Sequence, residues 1–349
     1  IQRFAPATDY SCLPQRLLDD LSHAERPLIV FGQLSPHRFH YEGMDYLFSH
    51  VIVLHEALSP LTSVSSFEEV LPPPTSRLTP HTSHLTPPTS HLTPPTPDFI
   101  LYVGDAIVSK RLKHFLREAK DAHTWRIGLT GEVEDTFQNL CGIVAGDAEA
   151  ILQALSTRLA GMKSPSSAQA NYRRQWLHLL SDARKRLDSA PLTFSEEGAV
   201  HLLEQQLSTL PPSTFHVHYA NSTAIRLANR YANGHPVWCN RGTSGIEGSL
   251  STAAGFAVSL CPPEGGMSES APFFSPSGGE RQTVFCVIGD LSFFYDQNAL
   301  WNSNLSGNLR IMLLNNGHGA IFDHLPGLSQ STAHPNLIAG AHHTHAEGI

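Results

Sequence analysis

The sequence predicts an α/β protein with two doubly wound parallel sheets, and three observations support this fold class. Short apolar runs ending on Gly, Asp or Asn alternate with longer segments of helical periodicity over much of the 349 residues. The runs are nearly continuous in Val, Ile, Leu and Phe, which is typical of strands buried on both faces of a parallel sheet. The alternation occurs twice, so we expect one unit at 1–165, a linker helix region at 166–195 and a second unit at 196–349.

The first unit begins with the apolar run RPLIVFGQL at 26–34, which predicts a strand running into a Gly turn. A second strand is expected at 49–57. The segment 97–119 predicts a strand, a Gly-Asp turn and a basic amphipathic helix, and His123 to Thr130 predicts a further strand. Residues 145–190 have helical periodicity, and their basic residues are expected on a solvated face.

One segment interrupts this alternation. From Thr75 a seven-residue unit rich in Pro and Thr is repeated in three copies. Proline lacks the backbone donor that a helix or a sheet needs, so we interpret 71–97 as an extended, exposed insertion in a loop. Its histidines could bind a metal, but a tandem duplication without function is the preferred interpretation.

The second unit alternates more regularly. Ser195 is expected to cap its first helix, and Asn221 and Ser222 to open its second. The segment 243–260 is rich in Gly and Ala and predicts a helix that packs closely against its neighbours. The strands are expected within 213–220, 235–242 and 281–290, with a last apolar strand that ends on Asn315 and Asn316.

Composition excludes several classes of protein. The net charge is −8, which argues against a nucleic-acid partner because such proteins need a clustered basic surface. Five cysteines without a C-x-x-C pair indicate free thiols and a cytoplasmic location. No run of about 18 apolar residues predicts a membrane span. The chain starts with Ile rather than Met, and we expect it to be a piece of a longer protein.

The stretch from Val287 to Phe322 indicates a metal site. One apolar strand ends on Gly-Asp at Asp290, and the next ends on Asn-Asn at Asn316. Because ligands bind beyond the carboxyl ends of parallel strands, both side chains are expected at one crevice. The turn Gly317-His318-Gly319 can direct a carbonyl inward. Three oxygen ligands suit Mg²⁺, which binds few protein groups and completes its shell with phosphates and water. The helix that begins near Leu291 would direct its N–H groups toward those phosphates.

This Gly-Asp to Asn-Asn spacing resembles the thiamine diphosphate motif. Together with NRGTSGIEGSLSTAAG at 240–255 and NNGHGAIFDHLP at 315–326, it resembles the 2-succinyl-5-enolpyruvyl-6-hydroxy-3-cyclohexene-1-carboxylate synthases of menaquinone biosynthesis. The resemblance is close over 196–349 and looser before it. It implies the thiamine diphosphate enzyme fold, with a middle domain followed by a diphosphate-binding domain. It also implies that 2-oxoglutarate is decarboxylated and joined to isochorismate with thiamine diphosphate and Mg²⁺ or Mn²⁺.

Carried over by position, the resemblance implies a role for each matching residue. Asp290, Asn316 and the carbonyl of His318 would hold the metal, although the family usually has Gly where this chain has His318. Ile246 would be the apolar wedge under the thiazolium; ordinary helix core is the alternative for that side chain. The remaining cofactor contacts implied by the resemblance are Gly289, Leu291, Ser292, Gly319 and Ile321.

The resemblance also implies a substrate pocket. Arg241, Arg226 and Ser222 match positions that contact substrate carboxylates, and a planar guanidinium is suited to pairing with a carboxylate through two hydrogen bonds. Phe322 and Leu325, with Ile321, would form an apolar wall near the reacting carbon. Lys110 and Arg111 match a basic pair of the middle domain; a solvated helix face is the alternative.

Enzymes of this class have a further, N-terminal domain that supplies the glutamate activating the cofactor, and they form homodimers or homotetramers with shared sites. We therefore expect no activating glutamate in this chain, a shortened last domain, and little activity from the 349 residues alone.

Three alternatives remain beside this interpretation. The chain could be an inactive fragment, or another thiamine diphosphate enzyme of the acetolactate synthase or 2-oxoacid decarboxylase class. A zinc site at His342 to His345 is a weaker possibility, because partner ligands at metal spacing are lacking. A serine hydrolase is excluded because GTSGI is not G-x-S-x-G, and a P-loop nucleotidase has no supporting motif.

Overall fold

The protein consists of two compact α/β units. A computed structural model describes residues 13–34, 39–59, 61, 64–73, 94–161, 164–243, 245–260, 282–323, 328 and 331–347. Among them, residues up to Ala190 belong to one unit and those from Pro191 onward to the other. Each unit has one all-parallel sheet with intervening helices, which confirms the predicted fold class. Residues 74–93 of the Pro/Thr segment and Leu325 lie outside the described residues. The expected exposed insertion at 71–97 was wrong in its start, because Leu71 is 0% exposed and packs in the core of the first unit.

The first unit has a sheet of five parallel strands in the order β2-β1-β3-β4-β5. Its central strands read PLIVF and FILYV, and every residue in them is buried, as expected for a sheet covered on both faces. The strands are β1 (Pro27–Phe31), β2 (Ile52–His55), β3 (Phe99–Val103), β4 (His123–Gly128) and β5 (Leu140–Ala145).

In the described residues, five helices cover the two faces of this sheet, and each face has its own apolar cluster. Tyr172 and Trp176 bury their rings in one cluster, so the long helix that carries them packs as part of the first unit. The sequence predicts a linker helix region at 166–195, whereas this helix is part of the first unit. The helices are α1 (Gln15–His23), α2 (Asp45–His50), α3 (Lys110–Glu118), α4 (Ala148–Ala160) and α5 (Ser167–Asp188), with a 3₁₀ turn at Phe67–Glu69.

Strand β5 was missed by sequence analysis. Its residues, LCGIVA, are a short run interrupted by Cys and Gly, so no clear period is visible. Gly142 lies directly against the ring of Trp125, and a Cβ at this position would clash with the ring carbons. Pairing with β4 therefore depends on close contact with a distant tryptophan, a requirement that no local pattern shows.

The second unit has a sheet of four parallel strands in the order β7-β6-β8-β9. The helix predicted over 243–260 was wrong in its start, because it begins at Ser249 and the residues before it form a loop. The helices are α6 (Glu196–Leu207), α7 (Thr223–Tyr231), α8 (Ser249–Leu260) and α9 (Asp290–Tyr295). The strands are β6 (Phe215–Tyr219), β7 (Val237–Trp238), β8 (Thr283–Gly289) and β9 (Leu309–Leu314). The 3₁₀ turns are Pro212–Thr214, Gln297–Trp301 and Ala320–Phe322, and a single π turn spans His334–Ile338.

The register of β8 and β9 determines where the site lies. Gly289 is paired with Leu314, so the two strands end at the same level of the sheet. Asp290 and Asn315 therefore leave adjacent strands at one edge, as the sequence predicted. None of the helices in the described ranges is long and apolar enough to cross a membrane.

Candidate metal and diphosphate site

Asp290 joins the two strand ends. It is the first residue of α9 and only 4% exposed. Its Oδ1 accepts the N–H of Leu291 at 2.7 Å, and its Oδ2 accepts the N–H of Gly317 at 2.7 Å. Gly317 has φ of +79°, a conformation that favours glycine, and its turn directs this N–H at the carboxylate. The Asn-Asn-Gly turn is thus tied to the Gly-Asp turn through Asp290.

Asn316 contributes an amide beside this carboxylate. Its Nδ2 donates to Oε1 of Glu196 at 3.1 Å, and its Oδ1 accepts the N–H of His318 at 3.1 Å. Burial and the charge of Asp290 raise the pKa of Glu196, against the lowering effect of the Asn316 hydrogen bond. Sequence analysis missed Glu196 as a site residue, because an acidic first turn of a helix is an ordinary capping feature.

His318 belongs to a chain of three titratable side chains with Asp323 and His334. Its Nε2 lies 2.8 Å from Oδ2 of Asp323, and Oδ1 of Asp323 lies 3.2 Å from Nε2 of His334. The hydrogen bond to Asp323 raises the pKa of His318, against a smaller lowering by burial. The backbone carbonyl of His318 accepts the N–H of Ala320 at 3.0 Å, and since a carbonyl has two lone pairs, one remains for a metal.

The segment 339–344 lies over the same turn, which the sequence did not predict. Gly319 donates its N–H to the carbonyl of Ala339 at 2.5 Å, and the N–H of His342 donates to the carbonyl of Gly317 at 2.8 Å. Asn315 donates its side-chain amide to the carbonyl of Thr344 at 3.1 Å. These contacts bring the His342 ring to Asp290, with Nε2 3.2 Å from Oδ2.

Ile246 lies in the loop before α8, and not in a helix. This placement removes the alternative that its side chain is ordinary helix core. The hydroxyl of Ser292 donates to the Ile246 carbonyl, so the loop is attached to α9 near Asp290. Of the other predicted cofactor contacts, Gly289 precedes α9 and Leu291 follows Asp290. Gly319 and the half-buried Ile321 belong to the turn after Asn316.

One of the predicted substrate residues, Arg241, is hydrogen-bonded to the buried side chain of Asn221. Arg241 donates from Nη1 to Oδ1 of Asn221 at 2.9 Å. Asn221 in turn donates from Nδ2 to the carbonyls of Asn240 and Gly245, each at 2.5 Å. Arg226 is the fourth residue of α7 and is half-buried. Ser222, which directly precedes α7, has a φ of +73°. Backbone strain of this kind in a non-glycine residue is often found at functional sites.

The other predicted substrate residues have different surroundings. Phe322 is 36% exposed and ends the turn Ala320–Phe322. Lys110 and Arg111 open α3 in the first unit. Arg111 donates from Nη1 to the carbonyls of Glu68 at 2.6 Å and Leu71 at 3.1 Å. These hydrogen bonds attach the start of α3 to the segment that contains Glu68 and Leu71.

The residues around Asp290 fit a hard cation with an anionic group. Carboxylate, amide and carbonyl oxygens are the donors that Mg²⁺ binds. Nε2 of His342, a buried donor beside Asp290, has no hydrogen-bond acceptor in the described part of the chain, and Nε of Arg241, which lies by Asn221, has none either. Such donors are costly to bury unless an acceptor is present, so they favour an anion nearby. The described residues include no group of three His, Cys, Asp or Glu side chains that could hold a metal.

Comparison with known proteins gives one consistent family. No protein-family model matches the chain. A 2-succinyl-5-enolpyruvyl-6-hydroxy-3-cyclohexene-1-carboxylate synthase of Bacteroides fragilis is 38% identical over 255 residues, which are 72% of this chain and 40% of the relative. The synthase of the same name from Bacteroides thetaiotaomicron is 33% identical over 339 residues, which are 95% of this chain and 53% of the relative.

A third relative, from Porphyromonas gingivalis, is 31% identical over 239 residues, which are 66% of this chain and 37% of the relative. It has the same name as the other two. The chain spans 53% or less of the length of each of these three proteins. Over the part that it spans, the chain belongs to the family of 2-succinyl-5-enolpyruvyl-6-hydroxy-3-cyclohexene-1-carboxylate synthases.

Proposed function

We propose that this chain carries the cofactor-diphosphate site of an enzyme that decarboxylates 2-oxoglutarate and adds the product to isochorismate. The hydrogen bond from Gly317 N–H to Asp290 is the observation that supports this most, since it joins the Asn-Asn-Gly turn to the Gly-Asp turn. The family name supports a transferase of menaquinone biosynthesis. The first unit would be the middle domain and the second the diphosphate-binding domain.

Asp290, Asn316 and the carbonyl of His318 would hold Mg²⁺ or Mn²⁺ between the chain and a diphosphate. In this proposal Asp290 is oriented by two backbone N–H groups before any metal arrives. Its second carboxylate oxygen remains fixed by Gly317, so binding needs little rearrangement of the carboxylate. Bound thiamine diphosphate would supply the electron sink for decarboxylation.

The residues around the reacting carbon would bind, orient and exclude water. Arg241, held by Asn221, would pair with a substrate carboxylate, with Ser222 and Arg226 beside it. Ile246 would support the cofactor from the loop that Ser292 attaches to α9.

The turn that contains Ile321 and Phe322, together with Leu325, would form the apolar wall of the pocket. For Lys110, at the start of α3, the substrate contact that the resemblance implies stays a prediction. Arg111 would act mainly by anchoring the start of α3.

Other properties belong to the same proposal. The glutamate that activates the cofactor would come from a part of the relatives that this chain does not span. A homodimer or homotetramer would complete each site. Cys141, Cys239 and Cys286 are free thiols, which supports a reducing, cytoplasmic environment.

Calorimetric titration of thiamine diphosphate with Mg²⁺ tests the site. The unaltered chain is compared with Asp290→Ala and with the control Asp188→Ala, whose carboxylate is 55% exposed and belongs to the first unit. We expect binding by the parent and the control, and none by Asp290→Ala. Equal binding by all three would refute the site. Binding of 2-oxoglutarate and isochorismate, against pyruvate, to the chain loaded with thiamine diphosphate then tests the substrate assignment.

A further inference from the structure

His342 is fixed by contacts of its backbone and its ring. Its backbone N–H donates to the carbonyl of Gly317 at 2.8 Å. The ring packs edge-on against Phe294 with centroids 5.5 Å apart, and the side chain is 16% exposed. The orientation of this imidazole is therefore determined before any ligand is present, which is the usual requirement for a binding residue.

The backbone determines the tautomer of His342. The N–H of Thr344 donates to Nδ1 at 3.1 Å, so Nδ1 must present a lone pair. In the neutral ring the proton is then on Nε2. His342 thus presents a hydrogen-bond donor, and not an acceptor, toward Asp290.

That donor has no acceptor. Nε2 is 3.2 Å from Oδ2 of Asp290, but the N–H is not directed along this line, and Oδ2 already accepts the N–H of Gly317. No other acceptor among the described residues takes the Nε2 proton. A buried donor without an acceptor is unfavourable, and a ligand oxygen would supply the missing acceptor.

We propose that His342 binds a phosphate oxygen of the diphosphate through Nε2–H. This inference rests on the proposed function, because it needs a diphosphate bound next to Asp290. It adds to the site a residue from the segment 339–344, which lies over the turn at Gly317. His342 would not be a metal ligand through Nε2, since a protonated ring nitrogen cannot coordinate a cation.

Three variants of the 349-residue chain test the proposal. His342→Phe keeps a ring against Phe294 but removes the donor, and His342→Gln restores an N–H. His343→Phe is the matched control, because His343 is the exposed neighbour. Far-UV and near-UV circular dichroism show whether each variant is folded.

Two titrations distinguish a phosphate donor from a residue that only positions Asp290. The first is Mg²⁺ with thiamine diphosphate, followed by calorimetry. The second is Mn²⁺ without any phosphate, followed by electron paramagnetic resonance. We expect His342→Phe to bind thiamine diphosphate about 10- to 100-fold more weakly, since the lost bond is to a charged group. His342→Gln should recover part of the loss, and Mn²⁺ binding and the His343→Phe control should be unchanged.

The contrary results distinguish failure of this inference from failure of the proposed function. Unchanged thiamine diphosphate affinity in His342→Phe would overturn this inference and leave the proposed function standing. Equal weakening of Mn²⁺ and thiamine diphosphate binding would also overturn it, since His342 would then act only on Asp290. Failure of the unaltered chain to bind either ligand would overturn the proposed site together with this inference.

Discussion

The imidazole of His235 and the carboxylate of Glu204 form a buried pair in the second unit, with Nε2 2.8 Å from Oε2. Nδ1 of His235 lies 3.1 Å from the carbonyl of Pro236, so both ring nitrogens face acceptors. Only the doubly protonated ring satisfies both contacts. Tyr219 donates its hydroxyl proton to the other carboxylate oxygen of Glu204 at 2.5 Å. The network is buried, since His235 is 3% exposed and Glu204 is 5% exposed.

The pair predicts a stability that depends on pH. Burial lowers the pKa of His235, but the hydrogen bond and charge of Glu204, with the Pro236 carbonyl, outweigh it and raise the pKa above 6.5. A raised histidine pKa contributes stability that is fully present below the unfolded value and is lost as the pH rises through the folded one. We therefore expect the free energy of unfolding, measured in urea, to decrease as the pH rises from 6 to 9.

His235→Phe isolates the contribution. The variant should unfold about 3–5 kcal/mol more easily at pH 6, because a buried carboxylate loses its partner. The difference from the parent should shrink as the pH rises. The control is His178→Phe, whose side chain is 74% exposed. A difference that stays constant from pH 6 to pH 9 would contradict a charged His235.

Glu56 predicts a pH effect in the first unit. It is 1% exposed and accepts the N–H groups of Val108 and Ser109, each at 2.6 Å. Burial raises its pKa to about 7, although the two hydrogen bonds oppose the shift. Because the folded carboxyl keeps its proton above the unfolded pKa of about 4.3, stability should fall as the pH rises from about 4.3 to about 7.

Glu56→Gln tests this effect. The amide cannot ionise, so the free energy of unfolding of this variant should not decrease between about pH 4.3 and about pH 7 as that of the parent does. One backbone N–H would face an NH₂ group, which should lower stability by about 1–3 kcal/mol. Urea unfolding at pH 5 and pH 7.5 measures both effects, and Glu25→Gln, with a 68% exposed side chain, is the control. An identical pH slope in parent and variant would contradict the raised pKa.

Asp296 predicts a stabilising link between α9 and α8. Its Oδ2 accepts the N–H of Ser251 at 2.7 Å, and its Oδ1 accepts the hydroxyl of the same residue at 2.5 Å. The carboxylate thus caps the first turn of α8 from a distant part of the chain. Asp296→Ala should lower the free energy of unfolding by about 1–3 kcal/mol, since both hydrogen bonds are lost.

Thermal and urea unfolding measure the effect of Asp296→Ala. Asp188→Ala, on the last turn of α5, is a matched control and should change stability by less than about 0.5 kcal/mol. A loss in Asp296→Ala as small as in the control would show that Ser251 needs no cap.

Gly317 predicts a strict requirement for glycine. Its φ is +79°, and a Cβ would lie 3.2 Å from the carbonyl of His342. Gly317→Ala should lower the free energy of unfolding by about 1–3 kcal/mol and weaken the thiamine diphosphate binding that we propose, because the N–H to Asp290 would shift.

Gly255→Ala is the opposite control. Gly255 lies within α8, and a Cβ added there would meet no atom within 4 Å, so alanine should stabilise by about 0.5–1 kcal/mol. Equal effects of the two substitutions in urea unfolding would contradict the backbone argument for Gly317.

The fold class and the two strand ends of the site could be read from the sequence. Buried parallel strands such as PLIVF consist of apolar residues alone, and a turn beginning with Gly-Asp or Asn-Asn follows directly from local residue types. The start of α8 could not be read, because the glycines of 243–248 continue the small-residue pattern of the helix and tertiary contacts hold this stretch in a loop. Asn240 makes two such contacts, from Nδ2 to the Gly248 carbonyl at 3.1 Å and to Thr252 at 2.8 Å.

By itself, the sequence determined the α/β class, the spacing of Asp290 and Asn316 and the resemblance to one enzyme family, since these depend on local residue types and order. Only the tertiary structure decided that Glu196 and His342 join the site and that Asn221 holds Arg241. The physical reason is that each of these contacts joins residues distant in the chain through one hydrogen bond or one short contact between two side chains. Such a contact leaves no period and no motif in the sequence, and it arises only when the packed sheet brings separate segments together.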